Sequence, residues 1–304
     1  MNYKKGGRMK KSCLILLFLS LLFIPKELFL QEKPLDVPYV PTKPEVVAEM
    51  LRMANVGKND ILYDLGCGDG RIVITAAQQY QTRGVGIDID PDRIKESNEN
   101  AVKADVTHLV KFIQQDLFEA DFHEATVVSL YLLTSVNLRL RPRLLSQLRP
   151  GTRIVSHNYG MDTWKPDQSS VVMVNEQTHN VYLWVVPANV SGTWKWTWLE
   201  KSQKVSYELD LEQLFQWPSG RIKVGGSELL LRDVVLTGDK IKFSVDKEEG
   251  GKTVTMIFEG QVTDNSIDGS TDMQGEAHKQ SQIVWKAKRN PATMKPLDSE
   301  IESK

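Results

Sequence analysis

A glycine-rich stretch between Asp64 and Arg71 contains the residue types that hold a small charged ligand. Gly66, Gly68 and Gly70 would let the backbone turn sharply and approach a ligand closely. A helix that starts at Arg71 would add N–H groups and a partial positive charge, which suit a carboxylate. Asp64 comes shortly before the first glycine and can accept a hydrogen bond from an ammonium group. The stretch therefore predicts a site for a ligand with an amino-acid end.

Two more carboxylates follow at intervals that suit a nucleoside. Asp88 ends the second predicted strand, about 20 residues beyond the glycines, where a carboxylate can hold both ribose hydroxyls. Asp116, followed by Leu117, comes just past the third predicted strand and could bind the amine of an adenine, while Ile89 could pack on the ring. The Gly-x-Gly-x-Gly spacing differs from the Gly-x-Gly-x-x-Gly of dinucleotide enzymes. Asp64 or Asp116 alone would more often cap a loop, but the three aspartates at successive strand ends predict a nucleoside cofactor.

Strands and helices alternate up to about residue 187 in the pattern of an α/β fold. The helices show apolar residues at helical spacing, and the strands are short apolar runs, as in sheets that are covered on both faces. The predicted helices are Arg71–Tyr80, Pro91–Ala104 and Asn137–Leu148, after a first helix that follows Thr42. The predicted strands are Ile61–Asp64, Gly84–Ile89, Val110–Ile113, Ala125–Leu133, Thr152–His157, Val171–Val174 and Val181–Val186. This order predicts a mainly parallel sheet with helices on both faces.

The pattern changes beyond residue 187, where helical periodicity almost vanishes. Apolar residues alternate instead, as at Trp194, Trp196 and Trp198, and turn signals such as Pro218-Ser-Gly220 and Asp268-Gly269 recur. Further predicted strands are Glu228–Leu236, Lys240–Val245, Thr253–Phe258 and Ile283–Ala287. Many short strands of this kind indicate an antiparallel barrel or sandwich, with the tryptophans in its core rather than around a ligand.

The chain divides into four predicted segments: a targeting segment (1–30), the α/β domain (31–187), the β domain (188–290) and a polar, disordered tail (291–304). In the first segment, basic residues precede an apolar run from Cys13 to Ile24. A run of this length is too short to span a bilayer, which needs about 20 residues, but it suits a secretory signal. No small-x-small cleavage site follows, so the segment could also be an uncleaved anchor. We expect an exported or periplasmic protein, or a membrane-anchored one whose domains could face the cytosol.

The bulk composition narrows the functional class. The chain has 304 residues, of which 41% are apolar and 25% charged, as is typical of globular proteins. Its formal net charge of -1 lacks the basic excess of nucleic-acid-binding proteins. The cysteines are Cys13, in the targeting segment, and Cys67, so we expect no internal disulfide. The histidines are scattered without the spacing of metal ligands, and we expect no metal.

Three segments resemble the class I S-adenosylmethionine-dependent methyltransferases, and the resemblance covers about residues 36–187. They are Asp36-Val-Pro-Tyr-Val-Pro-Thr42, Asp64-Leu-Gly-Cys-Gly-Asp-Gly-Arg-Ile-Val-Ile74 and Trp164-Lys-Pro-Asp167. More narrowly, they are similar to a family of protein lysine methyltransferases that includes the enzymes acting on the c ring protein of ATP synthase. The resemblance implies a Rossmann-like fold, S-adenosylmethionine as cofactor and lysine as acceptor. That family does not normally carry a C-terminal β domain, and Gly192-Thr193-Trp194 with Arg289 resemble a lipocalin-like barrel instead.

Residues near the end of the fourth predicted strand are candidates for the acceptor side. Tyr131 and Asn137 could orient an amine as catalytic residues, although Tyr131 could serve only packing and Asn137 could cap a helix. Tyr39 and Thr42 could close over the cofactor or belong to an ordered linker. His157-Asn158 follows the fifth strand and could border the same cleft.

A run of arginines, Arg139, Arg141 and Arg143, is most simply a solvated helix face, and otherwise faces an acidic protein or lipid headgroups.

The functional hypothesis is direct methyl transfer to a protein lysine. The lysine must first lose its proton, which costs about 4–5 kcal/mol at pH 7 for a pKa of about 10.4. The alternatives are a small-molecule or lipid methyltransferase, and a non-catalytic protein that binds a ligand through its β domain. We expect a protein or small-molecule acceptor, no nucleic acid, and membrane association through the N-terminal segment.

Overall fold

The computed structural model describes residues 39–200, 203–274 and 283–298. The predicted targeting segment, residues 1–30, lies outside these ranges. Within them, no helix combines the length and the apolar character that crossing a membrane requires.

The described strands form two sheets. The helices are α1 (Pro44–Met53), α2 (Arg71–Tyr80), α3 (Pro91–Lys103) and α4 (Thr134–Gln147). The first sheet contains β1 (Ile61–Leu65), β2 (Arg83–Asp88), β3 (Val110–Gln114), β4 (Val127–Leu130), β5 (Arg153–His157), β6 (Gln168–Val174) and β7 (Gln177–Val185). The second contains β8 (Gly192–Glu200), β9 (Gln203–Leu214), β10 (Trp217–Val224), β11 (Ser227–Leu230), β12 (Arg232–Thr237), β13 (Lys240–Glu249), β14 (Lys252–Thr263), β15 (Ser266–Gln274) and β16 (Ile283–Arg289).

The first sheet has seven strands in the order β3-β2-β1-β4-β5-β7-β6. Strands β1 to β5 are parallel, and β7 pairs antiparallel with both β5 and β6. The sheet is therefore mixed, with a Rossmann-like parallel part closed by a hairpin, as predicted. Because parallel neighbours share a direction, the carboxyl ends of β1, β2, β4 and β5 lie at one edge.

Both faces of this sheet are buried. Residues of α1, α2 and α3 pack with Leu62, Val127 and Val155 on one side. Neighbouring positions along the same strands, among them Val128 and Ile154, pack with α4 on the other side. This alternation explains why the strands are apolar throughout and confirms the prediction of helices on both faces.

The C-terminal strands form one antiparallel sheet in the order β11-β10-β9-β8-β16-β15-β14-β13-β12. Its buried face carries Trp194, Trp196 and Trp198, which are 0%, 5% and 8% exposed and belong to an apolar core. The predicted antiparallel arrangement is confirmed, but of its two predicted forms the barrel is not closed, because no ladder joins the edge strands β11 and β12 in the part of the chain that the structure describes. The guanidinium of Arg289 lies 4.7 Å from the centre of the Trp194 ring, but the lipocalin-like type stays a prediction.

In two places, residues that predict a turn lie inside a strand instead. Pro218 and Gly220 lie inside β10, and Gly269 lies inside β15. A side chain at Gly269 would come within 2.8 Å of the Trp285 indole, so the strand needs a glycine where this ring packs. A glycine inside a strand commonly marks such a close approach. In contrast, the predicted strand Glu228–Leu236 is divided between β11 and β12.

Two further boundaries differ from the prediction. The fourth strand is shorter than Ala125–Leu133, and α4 begins at Thr134 rather than Asn137. The tail is not disordered over its described part, because Pro291–Thr293 forms a 3₁₀ helix and Asp298 is 5% exposed. Asp298 forms an ion pair with Arg141 of α4 at 2.7 Å, a long-range contact that the polar composition of the tail does not indicate.

The two sheets meet at the Trp164-Lys-Pro-Asp167 segment. Trp164 is fully buried, its ring stacks on Phe215 at 5.6 Å between centres, and its Nε1 donates to Gln216 Oε1 at 2.9 Å. Gln216 Nε2 donates in turn to the Lys165 carbonyl at 2.9 Å. The turn between β9 and β10 thus covers part of the first sheet.

We expect Phe215→Ala to lower the free energy of unfolding by about 3–5 kcal/mol, because it opens a cavity beside Trp164. The neighbouring Leu214→Ala is a matched control, since Leu214 is 44% exposed and its loss should cost less than about 1 kcal/mol. Chemical denaturation followed by tryptophan fluorescence measures both. Equal effects of the two substitutions would mean that the sheet contact contributes no stability.

Candidate active site

The glycine-rich loop runs from the end of β1 to the start of α2. Gly68 and Gly70 have φ values of +53° and +79°, in the left-handed region that favours glycine. A Cβ at Gly68 would lie 2.5 Å from the Tyr39 ring, and a Cβ at Gly70 would lie 2.6 Å from the Phe112 ring. The N–H of Gly66 donates to the Ile87 carbonyl at 2.8 Å and fixes the loop to β2. The loop is therefore a tight, glycine-lined cradle, and a side chain at Gly68 or Gly70 would clash with a neighbouring ring.

The first N–H of α2 is not free, contrary to the prediction. The backbone N–H of Arg71 donates to Asp69 Oδ1 at 3.2 Å, and the Arg71 guanidinium pairs with the same carboxylate at 2.6 Å. The Arg71 guanidinium holds the pKa of Asp69 below its usual range, although burial opposes this. The Asp69 carboxylate thus occupies the start of α2, and it is paired with the guanidinium of Arg71.

The three predicted aspartates lie at the carboxyl ends of neighbouring strands. Asp64 is 2% exposed, and its Oδ1 accepts a hydrogen bond from Ser129 Oγ at 2.7 Å. Asp88 is half-buried and accepts from the backbone N–H groups of Gly68 at 2.8 Å and Asp90 at 3.0 Å. Asp116 is half-buried and accepts from the backbone N–H of Phe118 at 2.9 Å, as a loop cap would.

The pKa of Asp64 is raised to about 7, chiefly by burial and also by the nearby charges of Asp88 and Asp69, while the hydrogen bond from Ser129 lowers it. An isolated buried carboxylate is unfavourable, so this position favours a cation beside it. Ser129 was not predicted from the sequence. Its signal is a single polar residue within the apolar strand Val127–Leu130.

The two apolar candidates border the same strand ends. Ile89 follows β2 and is half-buried, and its carbonyl accepts from Gln114 Nε2 at 3.4 Å. Leu117 is half-buried against the core that contains Ile87 and Leu130. Cys67 is buried in the loop, and burial raises the pKa of its thiol, so it stays protonated.

The segment Tyr39–Thr42 lies over the glycine-rich loop. The Tyr39 ring covers Gly68 and is itself covered by the Arg93 guanidinium, 4.7 Å from the ring centre. The Thr42 carbonyl accepts from Arg71 Nη1 at 2.9 Å, and Thr42 is only 3% exposed. The segment is ordered, as one alternative of the prediction has it, and it covers the loop, while its closure over a cofactor stays a prediction.

On the acceptor side, the carboxyl ends of β4 and β5 bring Tyr131 and His157 together. Their rings stack with centres 3.9 Å apart, and the Tyr159 ring stacks on the Tyr131 ring at 6.2 Å. Asn158 has a φ of +62° and accepts from the backbone N–H of Asn180 at 2.8 Å, which holds this loop on β7. Tyr131 and His157-Asn158 thus border one region, as predicted.

Asn137 does not reach that region. It is fully buried inside the first turn of α4, and its Nδ2 donates to the carbonyls of Tyr159 at 3.1 Å and Gly160 at 3.3 Å. The helix cap is Leu133, so the capping alternative is also wrong. Asn137 therefore stabilises the loop after β5 through these hydrogen bonds. Because its side chain is buried, it cannot orient an acceptor amine.

The arginine run is only in part a solvated helix face, since Arg139 is exposed but Arg141 and Arg143 are not. Arg141 is 7% exposed and donates to the Met161 carbonyl at 3.1 Å, besides its pair with Asp298. Arg143 donates to the Ala120 carbonyl at 2.6 Å, and the guanidinium of Arg139 stacks on the Phe118 ring at 3.9 Å. These side chains tie α4 to neighbouring segments instead of forming a basic surface.

The parallel sheet, the glycine cradle and the aspartates at successive strand ends define a class I, S-adenosylmethionine-dependent methyltransferase domain. A family profile described as "ANTKMT methyltransferase domain" matches residues 64–168. The chain is 46% identical over 151 residues to a protein-lysine N-methyltransferase of Saccharolobus islandicus (strain REY15A), a match that covers 49% of this chain and 94% of that protein. With this identity and coverage, the chain belongs to the family of that enzyme.

Other relatives are matched over less of their length. An adenine nucleotide translocase lysine N-methyltransferase of Mus musculus is 31% identical, with 52% of this chain and 66% of that protein covered. A lysine N-methyltransferase of Homo sapiens, named for ATP synthase, is 28% identical, with 43% and 55% covered. The crystal structure of an RNA methyltransferase from Salinibacter ruber with S-adenosyl-L-homocysteine is 55% identical, covers 48% of this chain and 93% of that one, and has a TM-score of 0.46.

We expect Asp88→Asn to weaken S-adenosylhomocysteine binding by about 10- to 100-fold, because hydrogen bonds to a charged group contribute about 1.5–3 kcal/mol. Asp92→Asn removes the same charge from an exposed position four residues further along the chain and should leave binding unchanged. Isothermal titration calorimetry measures both. Unaltered binding by Asp88→Asn would exclude Asp88 from the cofactor site.

The raised pKa of Asp64 predicts a pH dependence of binding. Below a pKa of about 7 the carboxyl is protonated, and the proton must leave before an ammonium group can pair with it. Affinity for S-adenosylhomocysteine should therefore fall roughly tenfold or more as the pH is lowered from about 7.5 to 5.5. Asp64→Asn should bind weakly without this dependence. A flat profile for the unaltered protein would separate Asp64 from the ammonium group.

Proposed function

We propose that the protein transfers methyl groups from S-adenosylmethionine to the Nζ atom of lysine residues in a protein acceptor. The observation that carries the proposal is the match to a protein-lysine N-methyltransferase at 46% identity over 94% of that protein. The relatives from Mus musculus and Homo sapiens are also lysine N-methyltransferases.

The described residues fit the cofactor. The buried Asp64 accepts one hydrogen bond from Ser129, and a carboxylate has room for further donors, here the ammonium group. Asp88 would hold the ribose hydroxyls, Asp116 the adenine amine, and Ile89 with Leu117 the faces of the ring. The backbone of Gly66, Gly68 and Gly70 would approach the ligand closely, and Tyr39 and Thr42 would cover it. When bound, S-adenosylmethionine supplies a methyl group that its sulfonium has already activated.

The acceptor end of the site suits an amine that must become neutral. Tyr131, His157 and Tyr159 present stacked rings there. Burial and the neighbouring His179 lower the pKa of His157 to about 4, so this ring is uncharged at neutral pH. An uncharged imidazole beside these stacked rings favours the neutral amine of lysine over the ammonium form.

Other classes of acceptor lack comparable support. For a nucleic acid, the net charge of -1 gives no general attraction to phosphates, and Arg141 and Arg143 are bound to carbonyls within the fold. No specific observation favours a lipid or small-molecule acceptor, or a non-catalytic binding protein. The lysine assignment is therefore the one that the relatives and the site favour together.

Transfer of tritiated methyl groups tests the proposal. The full-length protein is incubated with labelled S-adenosylmethionine and, separately, with bacterial extract protein or purified total RNA. We expect the label in Nε-methyl-lysine after acid hydrolysis of the protein, and a fall of about 10- to 100-fold for Asp88→Asn in proportion to its loss of binding.

The Asp92→Asn variant should behave as the unaltered protein. Poly-L-lysine and poly-L-arginine provide a matched pair of simple acceptors, and only the first should be labelled. Label in nucleobases, or in residues other than lysine, would overturn the lysine assignment while leaving the methyltransferase activity intact.

A further inference from the structure

Two histidines form a hydrogen-bonded pair beneath the acceptor end of the site. His157 ends β5 and is 1% exposed, and its Nε2 lies 2.9 Å from His179 Nδ1 on β7. Its other nitrogen, Nδ1, lies 3.3 Å from Thr42 Oγ1. Thr42, His157 and His179 therefore form a continuous chain from the segment over the cofactor loop to the outer part of the sheet.

The sheet register imposes this arrangement. His157 pairs directly with Val181 in the antiparallel ladder between β5 and β7. Side chains alternate along a strand, so His179 lies on the same face of the sheet as Val181 and His157. The Tyr131 ring stacks on His157 from the other side and limits its rotation. The pair is held by backbone pairing rather than by flexible loops.

Aromatic rings pack beside the pair. Tyr131, from the end of β4, stacks on His157, and Tyr159, from the loop after β5, stacks on Tyr131. On α1, which packs against β7, Glu49 is already bonded to Arg52 at 2.6 Å. Among the described residues no carboxylate bonds to either imidazole, and His179 Nε2 is buried without a partner.

We propose that Thr42, His157 and His179 form a relay that carries the proton of the acceptor lysine away from the methyl-transfer site. The ammonium N–H bond breaks, its proton passes to Thr42 Oγ1, and the hydroxyl proton of Thr42 passes to His157 Nδ1. His157 gives its Nε2 proton to His179 Nδ1, so lysine becomes a neutral amine and His179 holds the positive charge. This inference rests on the proposed function, since it requires an acceptor that starts as a cation.

The physical reason for a relay is charge. The cofactor carries a sulfonium, and a second positive charge held close to it in a poorly solvated site is strongly repelled. Burial keeps His157 neutral, so His157 passes the proton on and does not retain it. His179 is the more exposed of the two rings and lies further from the cofactor loop along the chain of hydrogen bonds. His157 and His179 act through Thr42 and are positioning residues.

The pH profile of His179→Gln separates a relay from mere support. Glutamine can keep a hydrogen bond to His157 but cannot hold the proton. With bacterial extract protein as acceptor, we expect the rate of lysine methylation at pH 7.5 to fall at least tenfold. Near pH 10, where bulk water deprotonates lysine, the rate should return to within about threefold of the unaltered protein. Affinity for S-adenosylhomocysteine should change less than twofold.

His123→Gln is the matched control, because His123 is an exposed histidine paired with Asp121 in a surface turn, and it should leave the profile unchanged. Long-range ¹H–¹⁵N spectra of histidine-labelled protein give a readout besides activity. We expect His157 to be neutral and in one tautomer from pH 6 to 8, and its shifts to change in His179→Gln.

A loss of rate that is equal at all pH values would overturn the relay, as would a charged His157 at pH 7. If the unaltered protein labels no lysine at all, the proposed function fails and the relay fails with it. If it labels lysine and His179→Gln follows a parallel profile, only the relay fails.

Discussion

Both faces of a parallel sheet must be shielded from water, and the second sheet of this protein supplies part of that shield. Helices α1 to α3 cover one face of the first sheet, while α4 covers the other together with Trp164 and Phe215. Trp164 satisfies its indole N–H on Gln216, so the apolar contact also meets a polar requirement. The loop that contains Trp164 is the continuation of the loop after β5, on which the acceptor side of the site is built. The packing of the second sheet and the shape of the site therefore depend on the same segment.

The site itself is organised around carboxylates that the fold forces together. Asp64 is buried where its charge is costly, and Asp88 and Asp69 add repulsion. Such a cluster is unfavourable in isolation and becomes favourable when a cation is bound among its members. Arg71 relieves Asp69 alone. A cofactor that carries an ammonium group would thus relieve part of the remaining repulsion when it binds.

The sequence predicts much of the first sheet because its signals are local. Apolar runs, helix starts and the Asp64–Arg71 stretch depend only on neighbouring residues, and the element order matches the structure. The errors arise where distant residues decide the outcome. Gly269 resembles a turn signal until Trp285 is seen to need its space, and Asp298 resembles part of a disordered tail until Arg141 is found beside it.

The same distinction applies within the site. The aspartates at strand ends follow from the alternation of strands and helices. The predicted amine-orienting role of Asn137 is wrong because α4 begins at Thr134 and turns this side chain inward. The sequence does not fix that helix boundary to within a few residues. The contact of His157 with His179 depends on the register of an antiparallel hairpin, which nothing local specifies.

The contact between the two sheets also decides whether the two halves of the chain could exist separately. The match to the relative from Saccharolobus islandicus covers 49% of this chain and 94% of that protein. In this chain the same half ends in a surface that includes the Trp164 indole, and cutting the chain after β7 would uncover it. The appended sheet has thus become an integral part of the enzyme, and the two halves are no longer interchangeable units that could be exchanged between proteins without redesigning that surface.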